Sequence, residues 1–258
     1  MQLQRALAFC LFTLVALVAC GSPDDQAQAA GFCDTWLRFE LAADPDIDFH
    51  EADEQEIAEG MRSFASDLAP TLREVQQHAP DDLNRDVQTL TTAFEDVAEG
   101  GDPEQLEDPG LEEAYRNIHT KAIDECDWPV QQVVAIEYGF ENVPATLPAG
   151  ITSFELENQG VEFHELALFR KNPGVDTSAQ ELLELPDEQA FELVSVVGAA
   201  FAGPGDHSSL VRDLESGDFV MACFIPVGTT SFEFDEEPGE DRPPHFVEGM
   251  FAEFSVRN

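Results

Sequence analysis

The sequence carries very little positive charge. Its 258 residues include 12 lysines and arginines against 53 aspartates and glutamates, a formal net charge of −41 at pH 7. Only Lys121 and Lys171 are lysines. A surface of this sign repels phosphate backbones and anionic lipid headgroups, so we expect no nucleic-acid partner. Acid-rich, lysine-poor surfaces suit saline surroundings, and an acidic secreted protein explains the charge equally well.

Familiar catalytic motifs are also missing. The chain has no G-x-S-x-G nucleophile turn, no H-E-x-x-H zinc motif and no glycine-rich phosphate loop. It has six histidines and no His-x-His pair, which argues against an enzyme of the multicopper oxidase or nitrite reductase kind. Carboxylates are abundant, but the sequence singles out no catalytic pair among them. We therefore predict that the protein is not an enzyme.

The N-terminus has no apolar run long enough to span a bilayer comfortably. Arg5 is followed by an uncharged stretch up to Ala19, so residues 1–19 are typical of a signal peptide. The stretch ends in "LVAC", which resembles a bacterial lipobox and implies lipid attachment to Cys20; an ordinary secretory signal cleaved nearby is the alternative. The polar segment 20–31 would then tether the protein to the outside of the cytoplasmic membrane, in the cell envelope. Lipid alone would hold it there, without a transmembrane helix.

Five cysteines are present, and their positions separate their roles. Cys10 lies in the signal segment and Cys20 is the predicted lipid site. Export to an oxidising compartment favours a disulfide between Cys33 and Cys126, which bracket one region. By chain entropy such a bridge stabilises by on the order of 4 kcal/mol. Pairing of Cys223 with one of them is an alternative. Otherwise Cys223 is an odd thiol that we expect to be buried or bound to metal.

Residues 32–128 show helical periodicity. Apolar residues recur at steps of three and four in three runs, which are Ile57 to Leu68, Leu83 to Val97 and Leu111 to Ala122. With a first helix around "FCDTWLRFELA", these runs predict an antiparallel four-helix bundle with short connections. Pro70 is predicted to kink or split the second helix. Three histidines of this region stand alone and are expected on the surface: His50, His78 and His119.

Residues 129–258 change to a period of two. Short β-branched and aromatic segments alternate with turn signals such as "PAG", "NQG", "GPGD" and "ESGD". Seven or eight such strands predict a Greek-key sandwich or barrel, interrupted by one short helix at "DTSAQELLEL". The predicted fold class is therefore α+β, with a helical bundle domain followed by a β-sandwich domain.

Four residues of the β region carry ligand chemistry. His164, Cys223 and Met250 each alternate with apolar residues of their own strand, which directs them inward. His245 precedes Met250 by five residues in a loop rich in proline and glycine. Two imidazoles, one thiolate and one thioether are the ligand set of a blue-copper site. Taken singly, an inward histidine is more often an ordinary core residue, and so is a strand methionine.

Three segments of the β region resemble the core of a cupredoxin, the fold of blue type 1 copper proteins such as plastocyanin and azurin. They are "LPAGITSFELENQGVEFHELALF", "LESGDFVMACFIP" and "HFVEGMFAEFSV". The resemblance covers roughly residues 130–258 and leaves the helical region unexplained. It implies a copper ion held by His164, Cys223, His245 and Met250, with one-electron exchange as the function. The partner would be a redox protein of the cell envelope that the sequence does not identify.

One feature departs from the family pattern. Familiar cupredoxins have only a few residues between the copper cysteine and the second histidine, whereas here 21 residues separate Cys223 from His245. Loop closure cost grows slowly with length, so His245 can still return to the site. The alternative is a metal-free cupredoxin-like module that binds another envelope protein through the bundle or through the acidic stretch 233–241. Copper capture or delivery would use the same ligands as electron transfer.

Overall fold

The structure of the protein is a computed structural model that describes residues 23–43, 45, 47, 52–230 and 242–258. The predicted signal peptide, the predicted lipid site Cys20, His50 and the acidic stretch 233–241 lie outside these residues. No helix within the described ranges is long and apolar enough to cross a membrane. Helices come first along the chain and a mixed set of strands follows, which confirms the predicted α+β fold class.

Four α-helices form the first part of the described chain. They are α1 (Pro23–Ala42), α2 (Glu54–His78), α3 (Asn84–Ala98) and α4 (Pro109–Glu125), with 3₁₀ helices at Asp81–Leu83 and Pro103–Glu107. Their apolar faces meet in one core that fully buries Trp36, Leu72, Val87 and Ile118. The periodic stripes predicted these faces, because burying an apolar stripe is what holds a short helix in place.

Helix α2 passes through Pro70 without a break, so the predicted split is wrong. A proline inside a helix removes one backbone hydrogen bond. The residues on either side of it, Leu68, Leu72 and Val75, are buried in the helical core. Their burial offsets that loss. At its start, the helix has a capping box in which Asp53 and Glu56 accept hydrogen bonds from each other's backbone N–H groups.

Helix α1 begins earlier than the predicted bundle. Residues 23–31, predicted as part of a polar tether, are helical, since alanine and glutamine are good helix formers. Gln28 Nε2 donates a hydrogen bond to the carbonyl of Ala79 at 3.0 Å, which joins this first part to the bundle. Cys33 and Cys126 form the predicted disulfide, with Cα atoms 5.5 Å apart across 93 positions of sequence. The bridge ties α1 to the end of α4.

Nine strands make up the second part of the described chain. They are β1 (Val130–Ile136), β2 (Gly139–Glu141), β3 (Thr146–Pro148), β4 (Gly150–Asn158), β5 (His164–Lys171), β6 (Val194–Ala202), β7 (His207–Leu214), β8 (Gly217–Ala222) and β9 (Phe251–Arg257). One sheet has the order β2-β1-β4-β7 and the other the order β3-β9-β8-β5-β6. The chain crosses between the sheets after β2, β3, β4, β6 and β7, as in a Greek-key sandwich.

The two sheets face each other across one apolar core. Phe154 and Leu156 of β4 meet Leu166, Phe219 and Phe254 of the opposite sheet. The short helix predicted at "DTSAQELLEL" is α5 (Ala179–Leu183), and a second short helix, α6 (Asp187–Leu193), follows it outside the predicted range. Pro186 lies between them, and the chain cannot continue a helix through the residue before a proline.

Polar contacts join the helices to the sheet that contains β4 and β7. Both nitrogens of His119 are engaged, Nδ1 with Glu40 of α1 at 2.8 Å and Nε2 with Glu155 of β4 at 2.9 Å. Tyr115 donates to Glu40 at 2.9 Å, and Arg212 of β7 reaches the backbone carbonyl of Glu40 at 3.4 Å. His119 is only 4% exposed, so its predicted surface position is wrong. A histidine held between two carboxylates can be buried because its charge is paired.

Candidate metal centre

The four predicted ligands lie at one end of the sandwich. His164 is the first residue of β5, Cys223 directly follows β8, and Met250 directly precedes β9. Strand β8 runs antiparallel to both β5 and β9. The end of β8 therefore lies beside the beginnings of its two neighbours, which brings these three residues together. His245 begins a 3₁₀ helix, His245–Glu248, that leads into Met250.

Backbone hydrogen bonds connect Cys223, His245 and Met250 directly. The N–H of Cys223 donates to the carbonyl of Met250, and the N–H of Met250 donates to the carbonyl of His245, each at 3.1 Å. The N–H of Phe246 donates back to the carbonyl of Cys223 at 2.9 Å. Gly249, at φ 110°, makes the left-handed turn between His245 and Met250 that only glycine adopts freely. Main-chain geometry alone thus holds His245 beside Cys223.

The long segment between Cys223 and His245 is closed near its base. The N–H of Val227 donates to the carbonyl of Pro243 at 2.9 Å, and Pro226 pairs with Pro244 in an isolated antiparallel bridge. The N–H of His245 donates to the carbonyl of Ile225 at 2.9 Å. The two ends of the segment therefore run side by side like a short ribbon. Its length does not carry His245 away from the site.

The side chains of His164, Cys223 and His245 converge in the interior. One donor atom from each lies within 4.8 Å of the other two. The Nδ1 atoms of the two histidines are 3.2 Å apart, and Cys223 Sγ is 3.3 Å from Nδ1 of His245. All three residues have no exposed surface, and neither does Met250, which belongs to the same core cluster as Cys223.

Burial keeps the three groups uncharged in the absence of a metal. It lowers the pKa of His164 to about 4, with repulsion from His245 adding to the effect. Burial also lowers the pKa of His245, although its hydrogen bond to Glu162 opposes this. The pKa of the Cys223 thiol is raised by burial to about 12, even though the backbone N–H of Glu165 donates to its sulfur at 3.3 Å. Binding of a metal would displace the thiol proton, because the ligand is the thiolate.

The turn that leads into His164 is built on Asn158. The side-chain oxygen of Asn158 accepts from the N–H of Gly160 at 2.8 Å, and its amide nitrogen donates to the carbonyls of Glu162 and Ala202, both at 2.8 Å. A Cβ at Gly160 would lie 2.7 Å from Nε2 of His164. The "NQG" turn of the sequence is therefore needed to seat this histidine, and only glycine fits beside the ring.

Glu162 is a residue of the site that the sequence did not reveal. Its carboxylate accepts from His245 Nε2 at 3.0 Å, and its side chain is 13% exposed. The sequence offers 53 acidic residues, and nothing in the local pattern distinguishes this one. Its position two residues before His164 was the only available signal.

The donor set fits a copper ion. Two neutral imidazoles present Nδ1 atoms toward each other, and one proton at most can lie in that contact. Nδ1 of His245 meets the cysteine sulfur as well as the other imidazole, so three donors share one small buried space. Imidazole with soft thiolate and thioether sulfur is the combination that favours copper. Whether Met250 acts as a ligand stays a prediction, while its burial at the same end of the sandwich agrees with it.

No protein-family model matches the chain, and no curated protein matches it by sequence. Among solved structures, a dithionite-reduced auracyanin from the photosynthetic bacterium Roseiflexus castenholzii is 17% identical, covers 50% of this chain and 97% of its own, and has a TM-score of 0.33. Auracyanin A, a blue copper protein of Chloroflexus aurantiacus, is 14% identical with coverages of 50% and 98% and a TM-score of 0.32. Reduced rusticyanin is 16% identical with coverages of 50% and 79% and a TM-score of 0.29.

These similarities concern half of the chain. The sandwich of this protein is cupredoxin-like in its own right, through its two facing sheets and its buried His–Cys–His group.

Proposed function

We propose that the protein binds one copper ion in its β domain and exchanges single electrons with a redox partner. The observation that carries this proposal is the buried convergence of His164, Cys223 and His245. A site with one soft thiolate and two imidazoles holds both oxidation states of copper. A rigid sandwich limits how far the ligands move between the two states, which keeps electron exchange fast.

Each ligand has a distinct role in the proposal. The Nδ1 atoms of His164 and His245 and the thiolate of Cys223 would hold the metal, and the thioether of Met250 would add a weaker contact. The bound copper supplies the one-electron redox chemistry, and no bond of a substrate has to break. We therefore propose an electron carrier and not an enzyme.

We also propose that the protein works outside the cytoplasm. The Cys33–Cys126 disulfide supports this location, because such bridges persist in oxidising compartments. The lipobox-like "LVAC" at residues 17–20 supports a lipid anchor on Cys20. The partner would then be another protein of the cell envelope. Cys223 can remain a free thiol there because it is completely buried.

Copper titration of the purified, metal-stripped full-length protein tests the metal site. We expect one equivalent of Cu(II) to produce an intense visible thiolate-to-copper absorption band, and Cys223→Ser to abolish it. Cys33→Ser with Cys126→Ser is the matched control, since it removes two other sulfurs, which pack against the helical core, and should leave the band in place.

A folded wild-type protein without the band would contradict the copper site and favour a metal-free binding module. A band combined with slow electron exchange between oxidised and reduced protein would instead favour copper capture or delivery. Rapid exchange would support the electron-carrier role.

A further inference from the structure

Glu162 lies in the connection between β4 and β5 and contacts three separate parts of the site. Its Oε2 accepts from His245 Nε2 at 3.0 Å and from the backbone N–H of Gly228 at 2.6 Å. Its Oε1 accepts from the hydroxyl of Tyr138 at 3.1 Å. A carboxylate with three donors is well satisfied although it is mostly buried. These three bonds therefore hold the carboxylate in one position.

The bond to Glu162 selects one tautomer of His245. An ionised carboxylate only accepts hydrogen bonds, so Nε2 of His245 must carry the proton. Nδ1 then keeps its lone pair, and this is the nitrogen that faces Cys223 Sγ at 3.3 Å and His164 Nδ1 at 3.2 Å. The carboxylate thus directs the donor atom of His245 toward the other two ligands.

The same carboxylate joins both ends of the long segment between Cys223 and His245. Gly228 lies five residues after the cysteine, and His245 is the first residue beyond the segment. Tyr138 belongs to the turn between β1 and β2 and packs edge-on against the ring of His245, with centroids 5.1 Å apart. Glu162 holds the imidazole at Nε2, whereas Cys223 lies at Nδ1. These contacts leave the imidazole with no exposed surface.

We propose that Glu162 is a positioning residue of the metal site, which fixes the tautomer and orientation of His245 and favours Cu(II) over Cu(I). This inference rests on the proposed copper function. A carboxylate behind a ligating histidine makes the imidazole a stronger donor. Its negative charge, bonded to a ligating imidazole, would stabilise the more positive oxidation state.

Three variants separate the contributions of the residue. Glu162→Gln keeps the size of the side chain and one acceptor but removes the charge. Glu162→Ala removes the charge and the acceptor together. Glu248→Gln is the matched control. Glu248 lies in the 3₁₀ helix of His245 but is exposed, so this variant loses the same charge and keeps the bond between Glu162 and the imidazole.

Three measurements apply to these variants. Nitrogen-15 NMR of the metal-free protein reports the tautomer of His245 without any copper. Competition titrations give Cu(II) and Cu(I) affinities, and voltammetry gives the reduction potential. We expect His245 to be protonated on Nε2 in the wild type and to gain the Nδ1–H form in Glu162→Ala. We expect Glu162→Gln to lose about 10-fold to 100-fold in Cu(II) affinity, less in Cu(I) affinity, and to have a raised potential.

An unchanged tautomer in a folded Glu162→Ala overturns the inference. If that variant does not fold, Glu162→Gln decides the matter, and affinities and potential equal to those of Glu248→Gln overturn it. A wild type that binds no copper refutes the proposed function instead. The NMR comparison then still supports or overturns the role of Glu162 in orienting His245.

Discussion

His119 of α4 is hydrogen-bonded to Glu155 of β4 at 2.9 Å, across the junction between the helices and the sandwich. Its other nitrogen is bonded to Glu40 of α1 at 2.8 Å. Burial lowers the pKa of His119, but the bonds to the two carboxylates outweigh that effect and raise the pKa from 6.5 to about 9. The junction is therefore held by a charged imidazole between two anions at neutral pH.

This junction predicts a pH dependence of stability. The pKa of His119 is raised on folding, so its contribution is complete below about pH 6.5 and is lost as the pH rises to about 9. The difference between the two values corresponds to about 3 kcal/mol. Denaturant unfolding between pH 6 and 9 should show this decline, and His119→Gln should remove it while lowering the stability at pH 6 by about 3 to 5 kcal/mol.

The control for this prediction is His78→Gln. His78 lies at the end of α2, and the side chains bonded to His119 belong to Glu40, Ser153 and Glu155, so this change should leave the His119 junction and its pH dependence in place. Other groups also titrate, because burial raises the pKa of Glu165 to about 7 and raises the pKa values of Tyr115 and of the Cys223 thiol. Each of them lowers the stability of the fold as the pH rises. All are present in each variant, so the difference between wild type and His119→Gln isolates the imidazole. Equal profiles for wild type and His119→Gln would refute the prediction.

Gly160→Ala should damage the metal site by displacing the ring of His164. The new Cβ would lie 2.7 Å from Nε2 of His164 and 2.5 Å from an oxygen of Glu137, closer than atoms can approach, so the ring must move. We expect copper affinity to fall at least about tenfold, as for other losses of ligand support. Gly139→Ala is the control, since its Cβ would meet its nearest neighbour, Ile136, at an ordinary 3.5 Å. Identical copper titrations for the two variants would contradict this reading of Gly160.

Removal of residues 231–241 should leave the copper site intact. Contacts at the base of the segment hold its ends together, including the bond from Val227 to Pro243 and the one from Arg242 Nη2 to Thr229 at 3.0 Å. We would join Thr230 to Arg242 through two glycines and record the visible copper band. An unchanged band confirms that the base holds the site. Loss of the band in a folded protein would show that residues 231–241 are needed to bring His245 back.

Several features were determined by the sequence itself. Alternation along β5 and β8 placed His164 and Cys223 on inward faces, because the period of a strand depends only on its own residues. The apolar stripes of the helices indicated which residues form the bundle core, for the same reason. The disulfide was predictable because Cys20 and Cys10 were assigned elsewhere and export favours pairing of the two cysteines that bracket the bundle. Local pattern and cysteine number were sufficient for these conclusions.

The tertiary structure alone decided the partners of the polar groups. Glu162 and His119 each contact residues tens of positions away, at sequence separations of 83 to His245 and 79 to Glu40. Such contacts depend on how finished elements dock, and no local period encodes them. The same holds for Pro70, which packing keeps inside α2, and for the return of His245 over a long segment. The sequence indicated the candidate ligands of the site, while the docking of strands and loops decided what surrounds them.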